Sequence, residues 1–162
     1  MNPRVGIGYD SHRFAAGRPL RIAGVTVPHT HGLVGHSDGD VALHALIDAL
    51  LGAMAMGDIG QHFPDDDPQW RGADSTRFVR KIVEMLQQGG YAVGQVDVTV
   101  IAERPKIATH IAQMRAATAK ALGVDPGVVS IKAKTNEGMG WLGRGEGVAA
   151  LAVATVVPAA TG

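Results

Sequence analysis

The chain of 162 residues contains no cysteine. That absence excludes disulfides, thiolate zinc sites and cysteine nucleophiles together. Any transition-metal centre must therefore draw on carboxylates and on the seven histidines. Aromatic residues make up only 4%, too few for a broad surface on which bases stack. Net charge is missing as well: 15 Lys and Arg balance 15 Asp and Glu, so no global field favours nucleic acid or an anionic membrane. No apolar run reaches membrane-spanning length, and no signal or transit peptide is read before the first strand. The expectation is a soluble, cytoplasmic protein with one domain over residues 1–162, long enough to bury a core.

What the chain has in excess is glycine, 22 residues. Much of it lies beside polar residues, in Gly57-Asp58-Ile59-Gly60 and in the run from Gly138 to Gly147. Glycines placed this way permit sharp turns and close approach of backbone to a ligand. Between these loops the pattern predicts a strand over Arg4 to Asp10 and a hairpin over Leu20 to Val27 turning at Ala23-Gly24. A helix is expected from an N-cap at Ser37 or Asp38 to about Met56, apolar and rich in small residues, hence buried. Phe63 to Gly72 reads as a polar loop, and Ser75 to Gln88 as an amphipathic helix. Val96 to Ala102 alternates as a half-buried strand. Pro105 is expected to open a helix that stops at Gly123. Strands over Val128 to Ala133 and Val148 to Val157 finish the chain. That order gives an α+β fold, a mixed sheet with helices packed on one face.

Asp10 and His12 stand two apart at the end of the first strand, where alternate residues share a face. His44 follows on the apolar helix, which has no other reason to carry an imidazole. One carboxylate and two imidazoles leave the fourth corner of a tetrahedral zinc open, the pattern of a catalytic site. Each residue taken singly has a plainer explanation, as a strand end or a hydrogen-bonded core histidine. Asp48, one turn beyond His44, fits a ligand or an acceptor that fixes a histidine tautomer. His36-Ser37 sits where a helix N-terminus binds phosphate. Glu137, entering the glycine-rich loop beside Lys134 and Thr135, suits magnesium, which takes one or two carboxylates plus phosphates. Asp65-Asp66-Asp67 reads as a solvated acidic loop and Arg144 as a weak anion site. His29, His31, His62 and His110 read as ordinary surface residues.

Four stretches, Gly6 to Phe14, Gly35 to Ala53, Gly57 to Asp65 and Lys132 to Glu137, resemble the 2-C-methyl-D-erythritol 2,4-cyclodiphosphate synthase family over essentially the whole chain. The resemblance implies a homotrimer with active sites between subunits. It also implies cyclisation of 4-diphosphocytidyl-2-C-methyl-D-erythritol 2-phosphate with release of CMP, in non-mevalonate isoprenoid precursor biosynthesis. By matched position, Asp10, His12 and His44 are implied to bind Zn2+ or another divalent transition metal, and Glu137 to bind Mg2+ or Mn2+. His36 and Thr135 are implied to stabilise the transition state. Substrate contacts are implied for Asp10, His12, His36 and Ser37, for the erythritol-binding turn Asp58, Ile59 and Gly60, and for Phe63, Pro64, Asp65, Asp66 and Asp67. A neighbouring subunit's cytidine pocket is implied at Ala102, Glu103, Arg104, Pro105, Lys106, Ile107 and Ala108. Further contacts fall at Ala133, Lys134, Thr135, Asn136 and Glu137, and near the trimer axis at Trp141 and Arg144. Lys134 departs from the threonine common in the family and adds a cation near the phosphates. The same ligands also fit a metal-dependent phosphohydrolase. The glycine-rich loop and the small-residue helix alone fit a trimeric ligand-binding module.

Overall fold

The computed structural model describes residues 2–160. Its first strand, β1 (Arg4–Ala16), runs six residues past the expected end at Asp10. The site pair therefore lies within the strand rather than after it. Alternation along β1 sends Val5, Ile7 and Tyr9 to an exposed face, while Gly6, Gly8, Asp10 and His12 face the helical layer. The hairpin of β2 (Leu20–Ile22) and β3 (Val25–Val27) forms as expected, followed by the short β4 (His31–Leu33).

Helix α1 (Val41–Ala53) starts later and ends earlier than the sequence pattern suggests. Neither Ser37 nor Asp38 caps it. The cap is Asp40, whose carboxylate accepts from Leu43 N at 3.1 Å and also from Ala23 N at 2.8 Å and Gly24 N at 2.7 Å. A fully buried carboxylate must find such partners, and by taking three backbone donors Asp40 ties the hairpin to the helix start. After α1 the chain turns through Ala55 and Gly57, both at positive φ, into the one-turn α2 (Ile59–His62). Helix α3 (Ser75–Gln88) forms over the expected residues and buries Phe78, Val79, Ile82 and Leu86.

Strand β5 (Tyr91–Ile101) begins before the alternating segment. Pro105 does not open the next helix. Ile107 instead enters the core at 3% exposure, and a 3-10 turn over Ala108–His110 leads into α4 (Ile111–Leu122), closed by Gly123 in the left-handed region at φ 68°. Strand β6 (Val129–Lys134), the one-turn α5 (Gly140–Gly143) and β7 (Gly147–Pro158) follow.

The sheet order is β4-β1-β7-β5-β6. Only β5 and β6 pair in parallel, with α4 as their crossover, so the sheet is mixed. Its inner face carries Val96, Val98, Val100, Val129, Ile131 and the small series Val148, Ala150, Ala152, Ala154, Val156, all buried. Helices α1, α3 and α4 cover that face. The contact of α1 on β1 is close because β1 offers glycine there. A Cβ on Gly8 would collide with the Ala45 carbonyl oxygen, and one on Gly6 with that of Ala49. On the outer face, among the described residues, no helix lies over Ile7, paired with Val153, or Tyr9, paired with Leu151. Their exposures of 70%, 44%, 53% and 40% leave a contiguous apolar patch.

The glycine contact is testable by paired substitutions. Gly8→Ala should destabilise the fold by about 2 kcal/mol or more, as forced overpacking does. Gly52→Ala, whose Cβ meets only the Ile7 carbonyl oxygen at 3.8 Å, should stabilise by up to about 1 kcal/mol through helix propensity. Opposite shifts in thermal midpoint, about 2–4 °C per kcal/mol for a chain of this size, check both.

Candidate active site

Asp10 and His12 project from β1 toward α1, and the close helix–strand contact brings His44 to meet them. Asp10 Oδ2 lies 2.8 Å from His12 Nε2 and 3.1 Å from His44 Nδ1, and the two nitrogens are 3.2 Å apart. These are the only three such ligand-type side chains that converge among the described residues. Metal–ligand bonds of about 2.0–2.1 Å in a tetrahedral zinc site place neighbouring ligand atoms about 3.3 Å apart, close to the spacing here. One carboxylate oxygen and two imidazole nitrogens suit a divalent transition metal.

The outward atoms of both rings are anchored. His12 Nδ1 donates to the Val34 carbonyl at 2.6 Å, and His44 Nε2 lies 2.8 Å from Ser75 Oγ and 3.2 Å from Ser37 Oγ. Burial alone would raise the Asp10 pKa, but the adjoining His12 and His44 imidazoles outweigh it and hold the carboxyl far below its usual range. Burial would likewise lower the His12 pKa, yet the Asp10 carboxylate raises it. The cluster is thus a preformed, partly buried place for positive charge.

The cluster forms one wall of a cavity of about 190 Å³ shared with Gly35, His36, Ser37, Ile59, Gly60, Phe63, Asp65, Trp70 and Phe78. Phe63 stacks on Phe78 at 4.3 Å, with Trp70 edge-on to both. Sequence reasoning missed Trp70, Phe78 and Ser75, because their place in the site arises from tertiary packing of α3 and its preceding loop. His36 Nε2 donates to the Asp67 carbonyl at 2.9 Å, fastening the 63–67 loop to the segment before α1. Asp58 caps α2 through Gln61 N. Asp48 is absent from the metal cluster and touches no histidine nitrogen by hydrogen bond; it accepts from Ile59 N at 2.8 Å and so holds that turn.

The other expected residues gather separately. Glu103 Oε1 accepts from Asn136 N at 2.8 Å and Gly138 N at 3.2 Å, joining the 102–108 segment to the loop after β6. Thr135 Oγ1 accepts from Glu137 N, and Glu137 is exposed with φ at 54°. A non-glycine residue in the left-handed region is strained, a state that recurs at functional sites. Of this group none lines the metal-side cavity. Ala102 and Ile107 are buried in the core. Arg104 and Trp141 share an open cavity of about 780 Å³ with Ser11, His12, Phe14, His29, His31 and Glu146. His29 and His31, expected to be featureless, lie on its wall, while Arg144 is paired with Glu146 at 2.7 Å.

The YgbB family model matches residues 3–157. A 2-C-methyl-D-erythritol 2,4-cyclodiphosphate synthase from Bordetella petrii is 57% identical over 156 residues, covering 96% of each chain. A bifunctional enzyme IspD/IspF from Novosphingobium aromaticivorans is 56% identical over 155 residues, but these cover 96% of this chain and 40% of that protein. The chain thus spans about two fifths of the bifunctional relative's length and nearly all of the monofunctional one's. Among solved structures, the CDP complex of Plasmodium falciparum IspF superposes with a TM-score of 0.86 at 30% identity, covering 98% of both chains. On identity and coverage together, the chain belongs to the YgbB family, whose members include the 2-C-methyl-D-erythritol 2,4-cyclodiphosphate synthases.

Proposed function

We propose that this chain converts 4-diphosphocytidyl-2-C-methyl-D-erythritol 2-phosphate into 2-C-methyl-D-erythritol 2,4-cyclodiphosphate and CMP. The observation that carries the reading is the convergence of Asp10, His12 and His44 within 3.2 Å of one another at an open cavity, in a chain whose relatives bear that activity in their names. An oxygen of the 2-phosphate forms a bond to the β-phosphorus. The bond from that phosphorus to the oxygen bridging toward the cytidine breaks, and CMP departs with the electron pair. No protein nucleophile is required. The protein's task is to place two phosphates in line and stabilise their charge.

Asp10, His12 and His44 would hold Zn2+ or another divalent transition metal and Glu137 would hold Mg2+ or Mn2+, which when bound supply Lewis-acid polarisation and charge neutralisation to the phosphates. Asp58, Ile59 and Gly60, fixed through Asp48, receive the erythritol hydroxyls. His36 and Ser37, at the approach to α1, face the phosphates from the cavity wall. His36 and Thr135 are assigned to the transition state. Lys134 is exposed and adds positive charge beside them. The segment from Ala102 to Ala108 reads the cytidine base.

These residues form two groups within one chain, so a complete site draws on neighbouring subunits. The apolar outer face of β1 and β7 supports a homotrimer joined there, since exposed patches of this kind mark association surfaces. Among the described residues no helix is long and apolar enough to cross a membrane. A cytoplasmic location accords with this chemistry.

Phosphorus NMR of a reaction with zinc and magnesium should show cyclic diphosphate and CMP in equal amounts; linear monophosphate would instead indicate a phosphohydrolase. Chelator treatment should abolish turnover, and zinc should restore it to the wild type but not to His44→Ala. The assembly is checked by Ile7→Asp, which places a carboxylate in the outer patch. Light scattering should then report monomers in place of trimers, with turnover falling in parallel.

A further inference from the structure

The anchoring of His44 extends one residue further than a metal site needs for bare ligation, and the extra residue determines where a hydrogen must sit. Ser75, the first residue of α3, is fully buried. Its hydroxyl donates to Asp38 Oδ1. A serine hydroxyl has one hydrogen, and an ionised carboxylate only accepts. With that hydrogen committed, Ser75 Oγ can only accept from His44 Nε2, 2.8 Å away. Nε2 must then carry the ring hydrogen. In a neutral imidazole this leaves Nδ1 as a bare lone pair, and Nδ1 is the atom directed at Asp10 and His12.

Asp38 is itself immobilised. It accepts from Ser75 N at 2.9 Å and from Asp40 N at 3.1 Å, and Arg21 Nε stands 3.9 Å from its second oxygen. We propose that Asp38 and Ser75 are positioning residues that fix His44 in the Nε2–H tautomer, so that its Nδ1 lone pair is presented to the metal. The inference rests on the metal reading of the Asp10, His12 and His44 cluster. It deepens that reading by placing the carboxylate that orients a ligating histidine on the far side of a serine hydroxyl, in place of the usual direct carboxylate–histidine contact. It also frees Ser37. Its Oγ lies 3.2 Å from the same Nε2 as a second acceptor, so its own hydrogen is left for another partner, and Ser37 lines the cavity.

Two measurements on the full-length protein test the relay without using turnover. Long-range proton–nitrogen correlation NMR of the metal-free protein at neutral pH reports the His44 tautomer, and chelator competition reports the zinc dissociation constant. Wild type should show Nε2–H at His44 and bind one zinc per chain. Ser75→Ala and Asp38→Asn should each weaken zinc binding by about 10–100-fold and give His44 a mixed tautomer signature, with the thermal transition still cooperative. Asp38→Asn keeps the side-chain shape and serves where Ser75→Ala fails to fold. Zinc affinity within twofold of wild type and an unchanged tautomer in the folded variants would overturn the relay, as would Nδ1–H at His44 in the wild type. A wild type that binds no zinc would overturn the metal reading beneath it, a distinct failure.

Discussion

Helix α1 lies on strand β1 with almost nothing between the two backbones, because β1 presents Gly6 and Gly8 to Ala45 and Ala49. The distances from His44 to Asp10 and His12 depend on that contact. One methyl group at Gly8 would push the helix outward, and His44 would leave Asp10 and His12 behind. Backbone proximity of this kind is obtained only where both elements give up side-chain volume. The small residues of α1 are thus a condition for the chemistry and not merely a packing preference. The same helix is anchored at its start by the buried Asp40 carboxylate, so its position along the strand is fixed as well as its height above it.

Much of this was legible before any coordinates. The Asp-x-His spacing on an apolar strand and the isolated imidazole in an apolar helix pointed to one cluster, and the three side chains do meet. Helix α3, strands β6 and β7 and the Gly123 stop followed from periodicity and capping residues. The failures were local. Ser37, Asp38 and Asp40 are all competent caps by residue type, and only the hairpin donors at Ala23 and Gly24 select Asp40. Pro105 resembles a helix start, yet the buried Ile107 draws the chain inward first. The elements β4, α2 and α5 are too short to show a period. Ser75, Trp70 and Phe78 enter the site through tertiary contact alone, which no spacing in the chain reveals.

The residues that resemblance assigns to one substrate divide in space. The candidate metal ligands, His36 and the turn at Ile59 and Gly60 line one cavity, while Glu103 and the Thr135 to Glu137 loop make a second structure held by Glu103 on two backbone N–H groups. An exposed apolar sheet face lies outside both. The proposed homotrimer would account for all three features with a single arrangement. It would also account for the strain at Glu137, which lies outside the metal-side cavity. Its left-handed backbone leaves the carboxylate exposed, as the magnesium role proposed for it requires.

Asp48 acquires a different meaning from the one its position near His44 suggested. It stands one helical turn from His44 and holds Ile59 N, so the candidate metal ligand and the turn proposed to receive the erythritol hang from the same helix. A tilt or slide of α1 would carry His44 and the Ile59 turn the same way, while Asp10 and His12 stay with β1.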